Sequence, residues 1–522
     1  MFSNHCWLLF VHWLKKRAGI VVLLIMGSIG LAIYQDYGVS WDEVAQRSIG
    51  AATHDYIFYS NNYLFNFHDR DYGVAFELPL FMLENILNLK SFRNVILMRH
   101  LISHFFFITS AFCVFLLVDL LYKNKLLAVI GYLIIVLHPR LYAHSFFNTK
   151  DIPFLSIFLI CYYINAIAFV RKKTYWFILL GFCTGILINL RIMGILLICC
   201  VLLMLSVDAL MDRNKEKTDR FHTAKLALAF LASTIITLYA TWPFLWPSPI
   251  EHFIFALKNM AKFRFGSPVL FKGELIQATA LPWDYIPTWF VITTPIPYLA
   301  MGLYGIGVLL FQIFKNPFQY LSNTLIRNNL IFLICLFAPI MAVIILKSVL
   351  YDGWRQMYFI YPGFALLGIY GLHSLMNTKI KSLIIGCLLL SFCPIVYFMS
   401  NNHPFQHVYF NCLVDTSSSE YLRKQFELDY WGTSYKQSLD YILENDSSPI
   451  ICITGPNHPF IYNISALPKE KAKRVKIVIG RGRADYYITN YRCHPDDYPF
   501  ESKRWHSIMV NNSTINGIYK LK

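Results

Sequence analysis

Two adjacent carboxylates, Asp42 and Glu43, follow soon after the first long apolar run of the sequence. A carboxylate held there beside Trp41 is partly desolvated and could accept a proton from a hydroxyl group. The same residues also fit the first turn of a helix, with Ser40 as the N-cap and the acidic side chains complementing the helix dipole. The residues themselves leave both interpretations open, a general base or a helix start.

A second group of ionisable residues lies between two apolar runs, where Arg140, His144, Lys150 and Asp151 occur close together. The cationic side chains could hold a phosphate through charge-assisted hydrogen bonds, arginine as a bidentate fork and lysine as a point charge. The alternative is that the basic side chains extend to lipid headgroups and that Asp151 begins the next helix, with Pro153 in its first turn. That alternative explains the basic residues but not the crowding of all four.

A single arginine, Arg355, stands at the entrance to a late apolar run. At the membrane boundary it would lie near the depth of a lipid phosphate, although an arginine that only extends to the headgroups fits the same position. The neighbouring aromatic residues Trp354, Tyr358 and Tyr361 are typical of a membrane interface and need no functional explanation.

The composition of the chain restricts which elements can position these residues. Of 522 residues, 56% are hydrophobic, 17% are aromatic and 15% are charged, and the mean hydropathy is +0.47. A soluble surface needs about 25% charged residues, so a water-soluble enzyme and a disordered chain are both excluded. The net charge of +16 comes from dispersed basic residues, which does not indicate binding to nucleic acid. We therefore predict a polytopic membrane protein.

The twelve cysteines form no CxxC pair and no Cys/His group with zinc-ligand spacing. Most of them lie in apolar runs, where cysteine behaves as a small hydrophobic residue. Only Cys412, Cys452 and Cys493 lie in the polar tail, which allows at most one internal disulfide bond there. We predict neither a metal site nor a cofactor.

Eleven apolar runs approach the length of about 20 residues that a helix needs to cross a bilayer. They lie at residues 18–34, 96–120, 125–139, 152–170, 175–190, 192–210, 225–246, 286–314, 329–348, 356–376 and 380–399. The first run follows three basic residues and has no small-residue cleavage site after it. We therefore predict a retained anchor rather than a removed signal peptide.

The charges between the runs predict the orientation of the chain. With the N-terminus in the cytoplasm, the inner loops of residues 1–399 hold 17 basic and 5 acidic residues, and the outer loops hold 14 and 13. This balance satisfies the positive-inside rule. The outer loops are then 35–95, 139–152 and 247–285, and an odd number of spans places residues 400–522 on the outer face.

The polar tail changes in character after residue 399. Short runs rich in β-forming residues, at 450–455, 476–480 and 486–489, follow an amphipathic stretch from Ser434 to Glu444. This pattern predicts a small α/β domain over residues 400–522. No internal repeat is evident, which argues against a transporter built from inverted repeats.

The order of motifs along the chain resembles the GT-C glycosyltransferases, and in particular bacterial relatives of glycosyltransferase family 39, which contains the protein O-mannosyltransferases. The motifs that carry the resemblance are SWDE (40–43), a YG-x-x-FE element ending at Glu77, Arg99 with His100, FFNTKDIPF (146–154), DGWRQMYFIYP (352–362), and the tail strings ELDYWGTS (427–434) and ADYYITNYR (484–492). Together they span nearly the whole chain.

The resemblance implies an inverting transferase that moves one sugar from a polyprenyl-phosphate donor to an acceptor on the outer face of the membrane. It implies that Asp42 is the base of a catalytic group that also holds Glu43 and Asp151. The departing phosphate would be stabilised by Arg355, Lys150 and Arg140. Supporting or acceptor-side roles fall to Glu77, His144, Arg99 and His100.

The acceptor stays open, because the second motif has Thr149 where proline is expected in the nearest relatives. A glycan, a lipid or a protein each fits. We expect a bacterial inner membrane location, with the N-terminus cytoplasmic and the C-terminal domain periplasmic, and contacts with membrane lipids but not with nucleic acid. The rival functions are an envelope-glycan polymerase or ligase and a lipid-linked sugar transporter, which would carry its ionisable residues at mid-membrane.

Overall fold

The structure, a computed structural model, describes residues 2–211, 217–261, 263–318 and 324–522. Up to residue 401 the described chain is mostly helical, apart from the short hairpin Pro268–Phe271 (β1) and Glu274–Gln277 (β2). Its helices are Phe2–Ile33 (α1), Trp41–Tyr59 (α2), Glu77–Ile86 (α3), Phe92–Tyr122 (α4), Lys125–Val136 (α5), Pro139–Phe147 (α6), Asp151–Arg171 (α7), Thr174–Leu190 (α8), Ile195–Met211 (α9), Lys217–Thr241 (α10), Pro249–Ala261 (α11), Tyr285–Thr293 (α12), Ile296–Lys315 (α13), Thr324–Leu346 (α14), Tyr361–Leu375 (α15) and Lys381–Asn401 (α16).

The chain is a multi-pass membrane protein by the length and apolar character of these helices. Seven helical stretches among the described residues can each cross a bilayer, and the bent pair α5 and α6, which meet at 61°, would add an eighth if it forms one span. The seven are Phe92–Tyr122, Asp151–Arg171, Ile192–Leu210, Phe221–Thr241, Ile296–Lys315, Ile326–Leu346 and Lys381–Asn401. Two more, Arg17–Ile33 and Thr174–Leu190, are apolar but shorter.

The eleven predicted runs are therefore not eleven full-length helices. Run 286–314 is divided into α12 and α13, which are separated by Thr294 and Pro295. In run 125–139 only the 12 residues of α5 form one continuous helix. Run 356–376 begins with a 3₁₀ turn, so that α15 has only 15 residues. The segment between runs 192–210 and 225–246 is one of the predicted inner loops, and its residues 212–216 lie outside the described residues.

The predicted outer loop 139–152 is mostly helix. Pro139 occupies the first turn of α6, where its missing N–H costs no hydrogen bond, and all nine residues of α6 are buried. Lys150, just before α7, is 8% exposed. The basic residues of this segment therefore do not extend to lipid headgroups, because the surrounding helices enclose them.

One hydrophobic core joins the membrane helices to the beginning of the C-terminal region. Phe410, Phe426 and Trp431 belong to the same core as residues of α4, α7 and α15. The change in composition after residue 399 is thus not a boundary in packing. Residues up to about 431 extend the helical part.

The rest of the C-terminal region is a small α/β domain with its own core, which contains Leu439, Ile442, Ile453 and Ile488. Its five strands lie in the order β4-β3-β5-β7-β6. The first three pair in parallel, and β7 pairs antiparallel with β5 and β6. The helix Tyr421–Gln425 (α17) precedes this domain and packs with the core of the helical part. The elements of the domain are Tyr435–Asn445 (α18), Ile451–Thr454 (β3), Pro459–Ser465 (α19), Lys469–Lys473 (α20), Val475–Ile477 (β4), Tyr486–Thr489 (β5), Arg504–Val510 (β6) and Ser513–Lys520 (β7).

Candidate active site

A sharp turn places Arg355 inside the helix bundle. Asp352 and Gly353 both have left-handed backbone conformations, with φ of 59° and 70°, and they reverse the chain before the 3₁₀ turn Arg355–Ile360. Glycine adopts this conformation without steric cost, and the N–H of Gly353 donates to the Tyr285 hydroxyl at 3.1 Å. The resulting position leaves Arg355 only 1% exposed.

Three carboxylates converge on this buried guanidinium. Nη1 of Arg355 donates to Oδ2 of Asp42 and to Oδ2 of Asp151, each at 3.2 Å. Nη2 donates to Oδ2 of Asp352 at 3.1 Å. We call these four residues the Arg355 cluster. Arg355 lies between the carboxylates, and no group of three or more His, Cys, Asp or Glu side chains in the described chain is arranged to hold a metal ion.

Exposure distinguishes the three carboxylates. The side chains of Asp151 and Asp352 are 1% and 3% exposed, whereas that of Asp42 is 22% exposed. Asp42 is therefore the member of the cluster that a molecule from outside the protein can reach. A proton acceptor must meet this requirement of access before any other.

Two aromatic rings complete the surroundings of Arg355. Its guanidinium lies 4.6 Å from the ring centre of Trp431 and 4.8 Å from that of Tyr351. Burial disfavours the charged form, but Asp42, Tyr351, Asp352 and Asp151 together outweigh it and raise the pKa of Arg355 well above its ordinary value. The arginine thus stays cationic although water is excluded around it.

Asp151 is held from two further directions. It begins α7, and its side chain pairs with Arg191 at the end of α8. Asn148 donates to Oδ2 of Asp151 at 2.9 Å and accepts the N–H of Asp151 at 2.9 Å. Its three polar contacts, to Arg355, Arg191 and Asn148, fix this carboxylate in one orientation, so it is better suited to aligning Arg355 than to exchanging a proton.

The C-terminal domain reaches the cluster from the other side. Nη2 of Arg492 donates to Oδ1 of Asp352 at 2.8 Å, and the same guanidinium lies 5.2 Å from the ring centre of Trp41. The backbone N–H of Trp41 donates to the backbone carbonyl of Trp431 at 3.0 Å. Residues from both ends of the chain are therefore needed to build the surroundings of Asp42.

A cavity of about 410 Å³ lies next to the cluster, although none of the four cluster residues lines it. One end is polar and includes Lys150, Arg191 and Tyr351, of which Arg191 pairs with Asp151 and Tyr351 contacts Arg355. Most of the remaining wall is apolar and is formed by Leu190, Ile192, Met193, Trp242, Ala256, Leu257, Met260, Phe263, Ala342, Val343, Leu346, Val349, Leu350 and Met357. The wall also has polar residues, namely Asn189, Asn259, Ser348, Gln356 and Asp71, and Asp71 is paired with Arg264. Such a cavity suits a ligand with an anionic end and a long apolar part.

Lys150 is the buried cation of this cavity. Its Nζ lies 3.4 Å from the ring centre of Tyr72, and burial, together with the neighbouring Arg191, lowers the pKa of Lys150 to about 8. Tyr72 is held by the close approach of Gly73 to α8, where any Cβ on Gly73 would lie 1.8 Å from the carbonyl oxygen of Asn189. Packing thus explains both residues of the YG motif: Gly73 allows the close approach to α8, and Tyr72 contacts Lys150.

Glu43, predicted as a catalytic residue together with Asp42, is a helix-start residue in the structure. Its two oxygens accept from the backbone N–H of Ser40 at 2.7 Å and contact Nε2 of His100 at 2.9 Å. The side chain is fully buried. Glu43 thus closes the first turn of α2, as the helix-start interpretation expects, and His100 supports this turn. A catalytic role of Glu43 stays a prediction. Glu77 and Arg99 pair with each other in the interior and tie α3 to α4.

Arg140, predicted to hold phosphate with Arg355 and Lys150, is elsewhere. It lies between the rings of Trp289 and Phe410, at 5.2 and 5.0 Å, and donates to the carbonyl of Tyr409 at 3.2 Å. It does not line the cavity. The reason is the helical phase of α6, which directs Arg140 towards α12 rather than towards α7.

His144 supports the cluster from behind. Its Nε2 lies 3.3 Å from Nε1 of Trp431, and its Nδ1 lies 3.2 Å from Nδ2 of Asn148. Because Trp431 contacts Arg355 and Asn148 binds Asp151, His144 connects two neighbours of the Arg355 cluster. Its position agrees with a supporting role.

Sequence reasoning did not assign roles to four residues that the structure brings together here: Asp352, Arg191, Trp431 and Arg492. Asp352 had a local signal, since it precedes Arg355 by three residues in one motif. Arg191 is a lone arginine between two apolar runs, which is also unusual. Trp431 and Arg492 lie within the two tail strings, but nothing in those strings indicates a partner in the membrane part.

No known family model matches the sequence, and no curated protein matches it. Among solved structures, the chain is similar to the oligosaccharyltransferase of Archaeoglobus fulgidus in its apo form, with 12% identity and a TM-score of 0.51 over 91% of this chain and 66% of that one. A second structure is the archaeal oligosaccharyltransferase AglB from the same organism with an inhibitory peptide and a dolichol-phosphate, with 13% identity, a TM-score of 0.45, and coverage of 92% and 70%.

The first of these similarities concerns the fold. The chain has a GT-C fold. Helices and a C-terminal domain both take part in the match, since it extends over nine tenths of the chain, while the chain spans 66% of that oligosaccharyltransferase. The expected GT-C fold is thus confirmed, whereas a relationship to the GT-C glycosyltransferases, including family 39, stays a prediction.

Proposed function

We propose that the chain is an inverting glycosyltransferase that moves a sugar from a polyprenyl-phosphate donor to an acceptor at the outer surface of the membrane. The observation that carries this proposal is a largely apolar cavity lined by the cations Lys150 and Arg191, of which Arg191 pairs with Asp151 of the Arg355 cluster. Its apolar wall suits the polyprenyl chain, and its cationic end suits the phosphate.

In the proposed reaction, the acceptor hydroxyl attacks the anomeric carbon of the sugar. The new carbon–oxygen bond forms as the bond between that carbon and the phosphate oxygen breaks, and the electron pair of the broken bond stays on the phosphate. Asp42 takes the proton of the attacking hydroxyl, because it is the accessible carboxylate of the cluster. The leaving phosphate needs no proton, since it is a weak base.

The cations of the site stabilise the charge that develops on the leaving phosphate. Lys150 and Arg191 line the cavity, and Arg355 lies just behind them, beside Tyr351. Fixed charges in a site that excludes water need little reorganisation during the reaction, which is the main source of such stabilisation. Asp151 and Asp352 hold Arg355 in place without taking part in proton transfer.

The direct test is donor cleavage by the purified full-length chain in liposomes. Release of polyprenyl phosphate from a labelled polyprenyl-phosphate sugar, in the presence of envelope extract as acceptor source, is expected for the wild type and not for Asp42→Asn. Asp36→Asn is the matched control, because Asp36 lies six residues upstream, is half exposed and pairs with His403. Donor transport across the bilayer without cleavage would favour the transporter instead.

The proposed orientation has its own test. Reporter fusions after Asp55, Lys150, Glu274 and Ser447 should give an extracytoplasmic signal, and those after Lys172 and Lys217 a cytoplasmic one. A cytoplasmic signal at Ser447 would move the C-terminal domain and the Arg355 cluster to the inner face. The proposed bacterial inner membrane location depends on this result.

A further inference from the structure

A second cavity, of about 250 Å³, lies between the C-terminal domain, membrane helix α4 and the segment that follows α1. One wall consists of residues 35–39, directly after α1, and of Ile96 and Leu97 in α4. The 31 residues of α4 give it a length of about 46 Å at 1.5 Å per residue, well beyond a hydrocarbon core of about 30 Å. Because Arg93 precedes the apolar run 96–120, we expect the first turn of α4 to be the part that lies at the level of the lipid headgroups.

Three cations from three different elements meet in this cavity: Arg93 of α4, Lys436 of α18 and Lys471 of α20. Lys436 and Lys471 share one carboxylate, that of Asp440, at 3.1 and 2.8 Å. Two ammonium groups on one carboxylate leave positive charge in excess. The other carboxylate of the cavity, Asp36, is bonded to His403 at 2.8 Å.

Arg93 is the least satisfied of the three cations. Its guanidinium contacts Oε1 of Gln35 at 3.4 Å and the carbonyl of Ala466 at 3.5 Å, which are neutral oxygens at long distances. A charge-assisted hydrogen bond to an anion is shorter, at about 2.7 to 2.9 Å, and roughly twice as strong as a neutral one. The geometry around Arg93 therefore favours an anion in the cavity.

We infer that this cavity binds the headgroup of an anionic phospholipid. The phosphate would be held by Arg93, Lys436 and Lys471, and an acyl chain would follow Ile96 and Leu97 along α4 into the bilayer. Basic pockets beside membrane helices recognise lipid headgroups in this way. At about 30 Å³ per water molecule, the volume equals roughly eight waters, which leaves room for a headgroup.

This site is separate from the proposed donor site, because the two cavities share no lining residue. It is nevertheless connected to the Arg355 cluster. The N–H and carbonyl of Val39, at the cavity wall, bond to the side chain of Asn463 at 2.9 and 3.0 Å, and Asp42 follows three residues later. A lipid that joins Arg93 to Lys436 and Lys471 would fix the C-terminal domain against the membrane close to Asp42.

The test is lipid retention by the full-length protein in native mass spectrometry, in mild detergent with increasing phosphatidylglycerol. The wild type is expected to keep one phosphatidylglycerol, and Arg93→Gln and Lys471→Gln are expected to bind it on the order of tenfold more weakly. Lys473→Gln is the matched control, since Lys473 lies in the same short helix, is 71% exposed, pairs with Glu470 and is not in the cavity.

A chromatographic profile and a melting temperature like those of the wild type establish folding of each variant. If Arg93→Gln does not fold, the partly exposed Lys471 still supplies the comparison with Lys473. Equal retention by the wild type, Lys471→Gln and Lys473→Gln would overturn the inference. Displacement of the lipid by inorganic phosphate at similar concentrations would overturn it as well, because the site would then recognise free phosphate. None of these results depends on transferase activity.

Discussion

Helix α7 connects two clusters of oppositely charged side chains, one at each end, and the two clusters differ in access and in charge balance. It begins at Asp151, in the Arg355 cluster, and just after its end Lys172 pairs with Asp208 at 2.8 Å. Asp208 also pairs with Arg327, and we call these three residues the Asp208 cluster. The 21 residues of α7 separate the two clusters by about 30 Å, which is the thickness of a bilayer core.

The difference between the clusters lies in access and charge balance. Asp208 is a single carboxylate between two cations, and neither of the two cavities described above is lined by it. In the Arg355 cluster a cation lies between three carboxylates, one of which, Asp42, is partly exposed. Buried ion pairs alone thus do not indicate a site, because membrane helices also use them to join one another.

The largest expected effect is that of Asp42→Asn. This change removes the proton acceptor while keeping the size of the side chain, so transfer should fall on the order of 10²-fold or more. Asp208→Asn, the corresponding change in the other cluster, should lower the melting temperature but leave transfer per folded molecule near the wild-type rate. Transfer assays on proteoliposomes with equal amounts of folded protein measure both.

If Asp208→Asn reduces transfer as strongly as Asp42→Asn while the protein stays folded, the two clusters do not differ in function. If Asp42→Asn keeps near-wild-type transfer, Asp42 is a helix-start residue like Glu43. Either result contradicts the proposed mechanism.

The next effect concerns the phosphate. Arg355 does not line the cavity, but it lies against Tyr351, which does. In the proposed site the donor phosphate reaches Arg355 beside this ring, so Arg355→Ala should weaken binding of a polyprenyl-phosphate analogue by about 1.5 to 3 kcal/mol, because one charge-assisted contact is lost. Arg355→Lys should fall between this variant and the wild type, since it keeps the charge but loses the fork. Arg327→Ala is the control in the Asp208 cluster and should leave donor affinity unchanged. Titration of purified protein with a fluorescent analogue gives the three affinities.

Removal of Arg355 leaves three carboxylates without their shared cation, so Arg355→Ala should also unfold more easily. Breaking a buried ion pair typically costs about 3 to 5 kcal/mol. Equal donor affinity for the wild type, Arg355→Lys and Arg355→Ala would show that Arg355 only stabilises the fold.

A smaller effect is expected from pH. The pKa of Lys150, lowered to about 8 by burial and Arg191, means that this side chain is charged at pH 7 and mostly neutral at pH 9. Donor binding should therefore weaken as the pH rises through 8, by up to about tenfold if one charge-assisted contact is lost. In Lys150→Arg the charge persists at higher pH, so its affinity should vary little between pH 7 and 9. A decline of the same size in Lys150→Arg would contradict this assignment.

The smallest effect is expected at Arg492, which acts on Arg355 through Asp352. Arg492→Gln should reduce transfer about two- to tenfold, the range for one lost hydrogen bond of about 0.5 to 1.5 kcal/mol. Arg492→Lys should restore part of this loss. The affinity for the donor analogue should stay close to the wild-type value in both, because Arg492 acts on Arg355 only through Asp352 and is not proposed to contact the phosphate. A loss of donor affinity equal to that of Arg355→Ala would place Arg492 in the binding site itself.

Local features of this molecule could be predicted from the sequence, and long-range pairings could not. The helical membrane part, the strands of the C-terminal domain and the interest of Asp42, Lys150 and Arg355 all follow from patterns within a few residues. Arg355 and Asp42, however, are 313 residues apart, and only tertiary packing determines that they meet. Arg140 shows the same limit, because its proximity to Lys150 in sequence did not bring it to the cavity.

Because the C-terminal domain contributes to the Arg355 cluster, the order in which the chain is synthesised determines when the site is complete. Asp352 and its partner Arg492 are 140 residues apart, a stretch that a ribosome working at about 5 to 20 residues per second needs roughly 7 to 28 s to synthesise. During this interval Asp42, Asp151 and Arg355 are already made, whereas Trp431 and Arg492 are completed later. The proposed transferase therefore becomes active only at the end of its own synthesis, and a chain truncated before residue 492 would insert without consuming lipid-linked sugar.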